Sequence, residues 1–212
     1  MTTGVIFDMD GVLIDSESFY FERRMNFFTH LAVTPTSVKM ADYVGKTEKG
    51  IWETLVPNNS NLRKQLYFAY LDYRQAHPID FQQVLRKEVR CLLRELKKQQ
   101  IKLALASSSP LVEINKMLRQ CQIQHYFDFV ISGEELEKSK PHPEIYLKCK
   151  QALAVTSFLA VEDSTVGIEA AKAANIYTVA LKQPFYVDQT KADRQINHLN
   201  EVMEVISEQQ FS

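Results

Sequence analysis

Asp8 and Asp10 stand one residue apart directly behind the apolar run Val5-Ile6-Phe7, with Gly11 following. Side chains alternate along an extended backbone, so two acids spaced in this way can point in the same direction and share one small space. Such crowding is unfavourable unless a cation or a proton intervenes, and hard carboxylate oxygens suit Mg2+. Gly11 permits a tight turn behind the pair. Asp-x-Asp is common in surface turns, and it is the preceding apolar run that makes this one a candidate site.

Three further strand-like runs end in residues of the same usefulness. Ile101 to Ala106 closes in Ser107-Ser108-Ser109, whose hydroxyls and backbone N–H groups can hold phosphate oxygens. Capping of the next helix, with Pro110 as its first residue, accounts for Ser109 but does not require Ser107 or Ser108. After Phe129 to Ile131 comes Lys138-Ser139-Lys140-Pro141-His142-Pro143, in which the prolines stiffen the backbone enough to aim Lys140 at an anionic nucleophile or phosphate. Lys138 reads as a surface lysine, and His142, without a neighbouring ligand pattern, as structural. Phe158 to Val161 finishes in Glu162-Asp163-Ser164, and the two acids are candidates for the remaining metal ligands. Acids at a helix start are often only dipole partners or caps. Four strand ends that together deliver an acid pair, a hydroxyl, a lysine and a second acid pair are not explained that way. They supply a nucleophile, a general acid/base, a metal site and cations, which are the parts of phosphoryl transfer.

The elements that must position these residues follow from the spacing of apolar residues. The four runs, with Tyr177 to Leu181 as a fifth, are short, continuous and apolar, as buried parallel strands are. Helical patterns lie between them, including Leu85/Val89/Leu92/Leu96 and the stretch Ala170 to Ala174. Alternation of this kind predicts an α/β, doubly wound parallel sheet, which gathers functional groups outside the carboxyl ends of its strands. From about Ser16 to about Pro78 the chain shows helical stripes but no strand: Phe21, Met25 and Phe28 on one helix, Leu62, Leu66 and Tyr73 on another. The expected organisation is therefore an α/β core of residues 1–15 and 79–212, with residues 16–78 inserted as a small helical unit.

Composition narrows the class further. The 212 residues are 45% hydrophobic and 24% charged, the make-up of a globular chain, and 25 basic residues against 26 acidic ones leave a formal charge of −1. No basic footprint for nucleic acid or an anionic membrane is visible, and Arg23-Arg24 and Lys97-Lys98 read as solvated helix faces. Cys91, Cys121 and Cys149 lack the close spacing of a zinc or redox motif and fit a reducing compartment. With no secretory leader and no apolar run near the ~18 residues of a membrane span, a cytoplasmic protein, plausibly monomeric, is expected.

Asp8-x-Asp10-Gly11-Val12, Ser107 behind a strand, Lys140-Pro141 and Glu162-Asp163-Ser164 resemble, in order and spacing, the four motifs of the haloacid dehalogenase superfamily. The helical insertion resembles the cap of the subgroup that contains β-phosphoglucomutase and many sugar-phosphate phosphatases. The resemblance implies that Asp8 attacks phosphorus to form an aspartyl phosphate, that Asp10 protonates the leaving oxygen and then activates water, and that Ser107 and Lys140 bind the phosphoryl group. It implies Mg2+ held by the side chains of Asp8 and Asp163 and the backbone carbonyl of Asp10, with Glu162 ligating directly or through water. The mutase branch carries a histidine where this chain has Tyr20 and an arginine in the stretch Gly45-Lys46-Thr47-Glu48, at Glu48. An acid there would repel the distal phosphate of a bisphosphate. A phosphatase acting on a small phosphorylated metabolite, with Tyr20 and Glu48 reading the leaving group, is therefore expected ahead of a mutase, although Lys46 or Lys49 could replace the missing charge. A phosphoacceptor receiver module without turnover is the reading from another class, and the large insertion argues against it. No Gly-x-x-x-x-Gly-Lys-Ser/Thr run of a nucleotide kinase occurs.

Overall fold

A computed structural model describes residues 3–43 and 48–209 of the chain. In chain order these form β1 (Thr3–Phe7), α1 (Ser16–His30), α2 (Glu48–Leu55), α3 (Ser60–Ala76), α4 (Phe81–Val84), α5 (Val89–Lys98), β2 (Lys102–Ser107), α6 (Leu111–Gln120), β3 (Phe129–Ser132), α7 (Glu144–Leu153), β4 (Ser157–Glu162), α8 (Thr165–Ala173), β5 (Tyr177–Leu181), β6 (Arg194–Ile196) and α9 (Glu201–Gln209). The strands build one parallel sheet in the order β3-β2-β1-β4-β5-β6. This is the α/β sheet expected from the alternation of apolar runs and helical patterns. β1 lies at its centre, where the winding reverses, so Val5, Ile6 and Phe7 are covered on both faces and fully buried. β6 was not expected. Its Arg194-Gln195-Ile196 is an edge segment with one buried residue, too short and too polar to register as an apolar run.

The chain divides into two compact units, one of Met1–Asp15 with Phe81–Ser212 and one of Ser16–Asp80. Within the first, the departing and returning segments run side by side: Asp15 N–H donates to Val84 O (2.8 Å), Arg86 N–H donates to Leu13 O (3.0 Å), and Ile14 bridges Leu85. Leu85 therefore belongs to this bridge and not to the helical stripe expected to include it; α5 starts at Val89 and buries Val89, Leu92, Leu93 and Leu96.

The helical unit is organised around aromatic side chains. Phe27, Phe28, Tyr43, Trp52 and Tyr70 are buried with Ile51, Leu55 and Leu66. Trp52 has the rings of Tyr67 at 5.5 Å and Tyr70 at 5.4 Å, in the edge and tilted geometries that aromatic pairs prefer. The expected stripe on α3 needs one change. Leu62, in the first turn beside the N-cap Asn59, stays over a third exposed, while Tyr70 is buried, so the stripe runs Leu66/Tyr70/Tyr73. On α1, Phe21 and Met25 pack only partly buried against a centre formed by Phe27 and Phe28. Arg23-Arg24 is not a solvated face either. Arg23 Nε donates to Tyr70 Oη (3.1 Å) with its guanidinium 5.2 Å from the rings of both Phe19 and Tyr20, and Arg24 pairs with Glu48 (3.0 Å).

Candidate active site

β1 delivers Asp8 to the carboxyl edge of the sheet, where Asp8 N–H still donates to Val161 O (3.0 Å) and keeps this end in register with β4. The backbone then turns sharply. Leu13 and Ile14 N–H donate to Met9 O, and Gly11 N–H donates to Ile14 O (2.8 Å). Gly11 is required here on two counts. Its φ of +76° is one that L side chains rarely adopt, and a Cβ would lie 1.9 Å from Asp163 Oδ2. The first acid motif and the last are thus packed against each other through a missing side chain.

Lys140 joins the two motifs. Its Nζ donates to Asp8 Oδ1 (2.6 Å), Glu162 Oε1 (2.7 Å) and Ala106 O (3.2 Å), with its side chain 5% exposed. Glu162, fully buried, is satisfied at both oxygens: Oε1 also accepts from Tyr146 Oη (2.6 Å), and Oε2 accepts from Asp163 N (3.2 Å), Ser164 N (3.4 Å) and Ser164 Oγ (3.2 Å). Gly167 makes room for this carboxylate, since a Cβ there would meet Glu162 Oε1 at 2.0 Å. Burial pushes Asp8 upward, Lys140 opposes that and Glu162 adds to it, leaving Asp8 raised to about 7. Burial works to lower Lys140, but the Asp8 and Glu162 carboxylates beside it hold it above its ordinary value. Tyr146 is pushed well up by burial and by the same two acids.

The hydroxyl strand end is arranged differently from its sequence reading. Ser107 is buried and its Oγ accepts from Ser109 N (3.0 Å). Ser109 does not cap α6: the N-cap position is Pro110, and Leu111 N–H donates instead to Glu134 Oε2 (3.0 Å). The Ser109 hydroxyl donates to Asp10 Oδ2 (2.7 Å), a long-range partner that a cap reading could not supply. Ser108 is exposed.

Donor oxygens of Asp8, Glu162 and Asp163 lie within 4.8 Å of one another. The Asp10 carboxylate is not in this cluster but turns to Ser109, so of the four acids read as metal-binding, Asp10 could join only through its backbone carbonyl. Three clustered carboxylates around one lysine leave an excess of negative charge on hard oxygens, a donor set that fits Mg2+. Tyr20 and Glu48 belong to the helical unit. Tyr20 is half-buried against Phe19 and Arg23, and Glu48 is held by Arg24 and by Trp52 Nε1 (2.9 Å). Lys46 lies outside the described residues, and Lys49 is exposed, 3.9 Å from Glu53. Tyr146, Ser109 and Gly167 were missed by sequence reasoning. The one trace of Tyr146 is a hydroxyl within the otherwise apolar stripe Ile145/Cys149/Leu153. His142 accepts from Glu144 N through Nδ1 (3.3 Å), in keeping with a structural part.

Parallel α/β units with this arrangement at the strand ends are those of the haloacid dehalogenase-like hydrolases, and the chain belongs to that family, which it matches over residues 5–181. It is 34% identical over 182 residues to a phosphorylated carbohydrates phosphatase of Thermotoga maritima, covering 81% of each chain. It is 31% identical over 185 residues to hexitol phosphatase B of Escherichia coli, covering 84% of this chain and 83% of that one. Among solved structures, a Thermotoga maritima protein provisionally assigned as a β-phosphoglucomutase superposes with a TM-score of 0.79 at 30% identity, over 99% of this chain and 100% of the other. Among the described residues no helix is long and apolar enough to cross a membrane.

Proposed function

We propose that the chain is a Mg2+-dependent phosphatase of small phosphorylated carbohydrates that works through an aspartyl phosphate on Asp8. The observation that carries this reading is the bridge of Lys140 between Asp8 and Glu162 at the mouth of neighbouring parallel strands. A cation held against the Asp8 carboxylate supports this reading, since it would neutralise charge on the phosphoryl group during transfer. An Asp8 carboxylate oxygen attacks phosphorus, the bond to the leaving oxygen breaks, and Asp10 gives its proton to the departing alcohol. Asp10 then takes a proton from water, which attacks phosphorus and releases inorganic phosphate with Asp8 regenerated. Lys140 and the Ser107 strand end bind phosphoryl oxygens. Asp8, Asp163 and the Asp10 carbonyl, with Glu162 directly or through water, would hold Mg2+, which supplies neutralisation of the charge shared between Asp8 and the phosphoryl oxygens. In this reading Ser16–Asp80 is the cap, and Tyr20 and Glu48 are its readers of the leaving group. The similarity to two carbohydrate phosphatases supports the substrate class.

A mutase is the second reading, favoured by one observation. Glu48 was expected to repel a second phosphate, but it is paired with Arg24, which cancels its charge locally. Purified protein with Mg2+ and a panel of hexose, hexitol and triose phosphates should release inorganic phosphate, and silence on all of them would return the receiver-type reading. With β-glucose 1-phosphate and a trace of the 1,6-bisphosphate, phosphate release without glucose 6-phosphate is expected. Efficient isomerisation with little free phosphate would establish the mutase instead.

A further inference from the structure

In the segment after β5, residues 182–191, two glutamines reach backbone carbonyls of the site. Gln183 Nε2 donates to Gly11 O (2.9 Å), and Gln189 Nε2 donates to Asp163 O (2.7 Å) and to Leu181 O (2.9 Å). Arg86 Nη2 reaches the same Gly11 oxygen (2.9 Å) and touches Gln183 Oε1 (3.3 Å). A carbonyl oxygen has two lone pairs, so Gly11 O is fully used by these two donors.

The geometry points to Gln183 and Gln189 as positioning residues for the metal-binding edge, acting through the backbone at Gly11 and Asp163. This rests on the functional reading above. The physical argument concerns peptide planes. Gly11 N–H bonded to Ile14 O fixes the plane that contains the Asp10 carbonyl, and Gln183 with Arg86 fixes the next plane through Gly11 O. Between them the φ and ψ of Gly11 are pinned, at a residue with no side chain to restrain it. Gln189 pins the facing segment at Asp163, whose carboxylate fills the space that a Gly11 Cβ would occupy. A slide of either segment therefore shifts the Asp163 oxygens against the Asp10 carbonyl. Gln189 is 5% exposed, and a buried amide is costly unless bonded, which ties this segment to the two carbonyls and not to solvent. Arg86 Nε is buried without a partner in the structure, so its guanidinium is held chiefly through Nη2. Groups that orient metal ligands in this way typically change affinity or activity by ~10–100-fold when removed.

The test uses full-length protein and two readouts. Mg2+ affinity is measured by calorimetry without substrate, and kcat and KM are measured on whichever panel phosphate wild type turns over. Gln189→Met and Gln183→Met keep length and remove the donor; each should weaken Mg2+ binding by ~10-fold and lower kcat by a similar factor while KM changes by less than ~3-fold. Gln183→Glu, which sets an acceptor against Gly11 O, should be worse than Gln183→Met. Val205→Ala, a cavity in the α9 core away from the site, serves as a control for lost stability and should leave Mg2+ affinity unchanged. Wild-type affinity and kcat in both Met variants would overturn the inference, as would an equal loss in Val205→Ala. If Gln189→Met does not fold, Gln183→Met decides. Failure of the functional reading shows itself in wild type, which would then bind no Mg2+ or release no phosphate and take the inference with it.

Discussion

The two units of this chain bury opposite kinds of side chain. At the carboxyl edge of the sheet, Asp8, Glu162 and Lys140 are withdrawn from water and held by one another and by Tyr146. The helical unit instead hides rings, with Phe27, Phe28, Trp52 and Tyr70 clustered, and its charged groups lie at the margin of that cluster, Arg24 paired with Glu48 and Arg23 laid against Tyr70. A parallel sheet can hold charges inside because every strand end brings free backbone groups and a fixed direction to the same rim. Three stacked helices offer no such rim, and their interior is secured by area and ring geometry. Buried charge and ring packing are thus concentrated in different units.

The largest effect expected is on turnover. Asp8→Asn keeps the shape and removes the nucleophile, so kcat should fall below a hundredth of wild type while the far-UV spectrum is retained; residual activity above that level would remove Asp8 from the chemistry. Asp10→Asn removes proton transfer, typically worth ~10²–10⁴-fold, and should hurt poor leaving groups more than good ones. Equal losses along a leaving-group series would contradict the role given to Asp10.

On the packing side, Phe27→Ala empties the centre of the aromatic cluster and should cost the helical unit about 3–5 kcal/mol. Trp52 is the chain's one tryptophan and lies in that unit, so its fluorescence reports on it alone. The fluorescence transition should move to lower denaturant while the circular-dichroism signal of the α/β unit keeps its own midpoint. If both transitions move together, the units do not unfold separately and the contrast fails.

Of similar size is a pH effect confined to the α/β unit. Asp8 in the folded chain is raised from 3.8 to about 7 by burial, so between those values the fold retains a proton that the unfolded chain has released. Stability in chelator should therefore fall as pH rises from about 4 towards about 7, and Asp8→Asn should lack that slope. A slope of the same size in Asp8→Asn would place its origin elsewhere. The smallest change should come from Arg24 and Glu48, whose side chains are 11% and 42% exposed. A double-mutant cycle across this pair should give about 0.2–1 kcal/mol, in line with half-exposed ion pairs, and a coupling several times larger would mean that the helical unit, too, depends on a buried charge.

The amino-acid sequence by itself determined the five main strands and the residues at their ends. Continuous apolar runs mark strands buried on both faces, and the polar residue that follows each run must lie at the sheet's rim. Asp8, Ser107, Glu162 and Asp163 were legible for that reason, Lys140 from the prolines that stiffen its segment, and the stretch from Ser16 to about Pro78 from its lack of any strand-like run. It could not tell which groups meet. Ser109 read locally as a cap because capping is a short-range preference, and it turned out to serve Asp10, 99 positions away. The pairing of Gln183 with Gly11 left no mark, and the hydroxyl of Tyr146 in its apolar stripe did not point to Glu162, since neither spacing nor residue type announces a distant partner. Glu48 read as a bare charge until the packing of α1 brought Arg24 beside it. Periodicity records which face of an element is buried; pairing between distant segments is decided only when the sheet and helices close around them, because each such contact depends on the position of two elements at once.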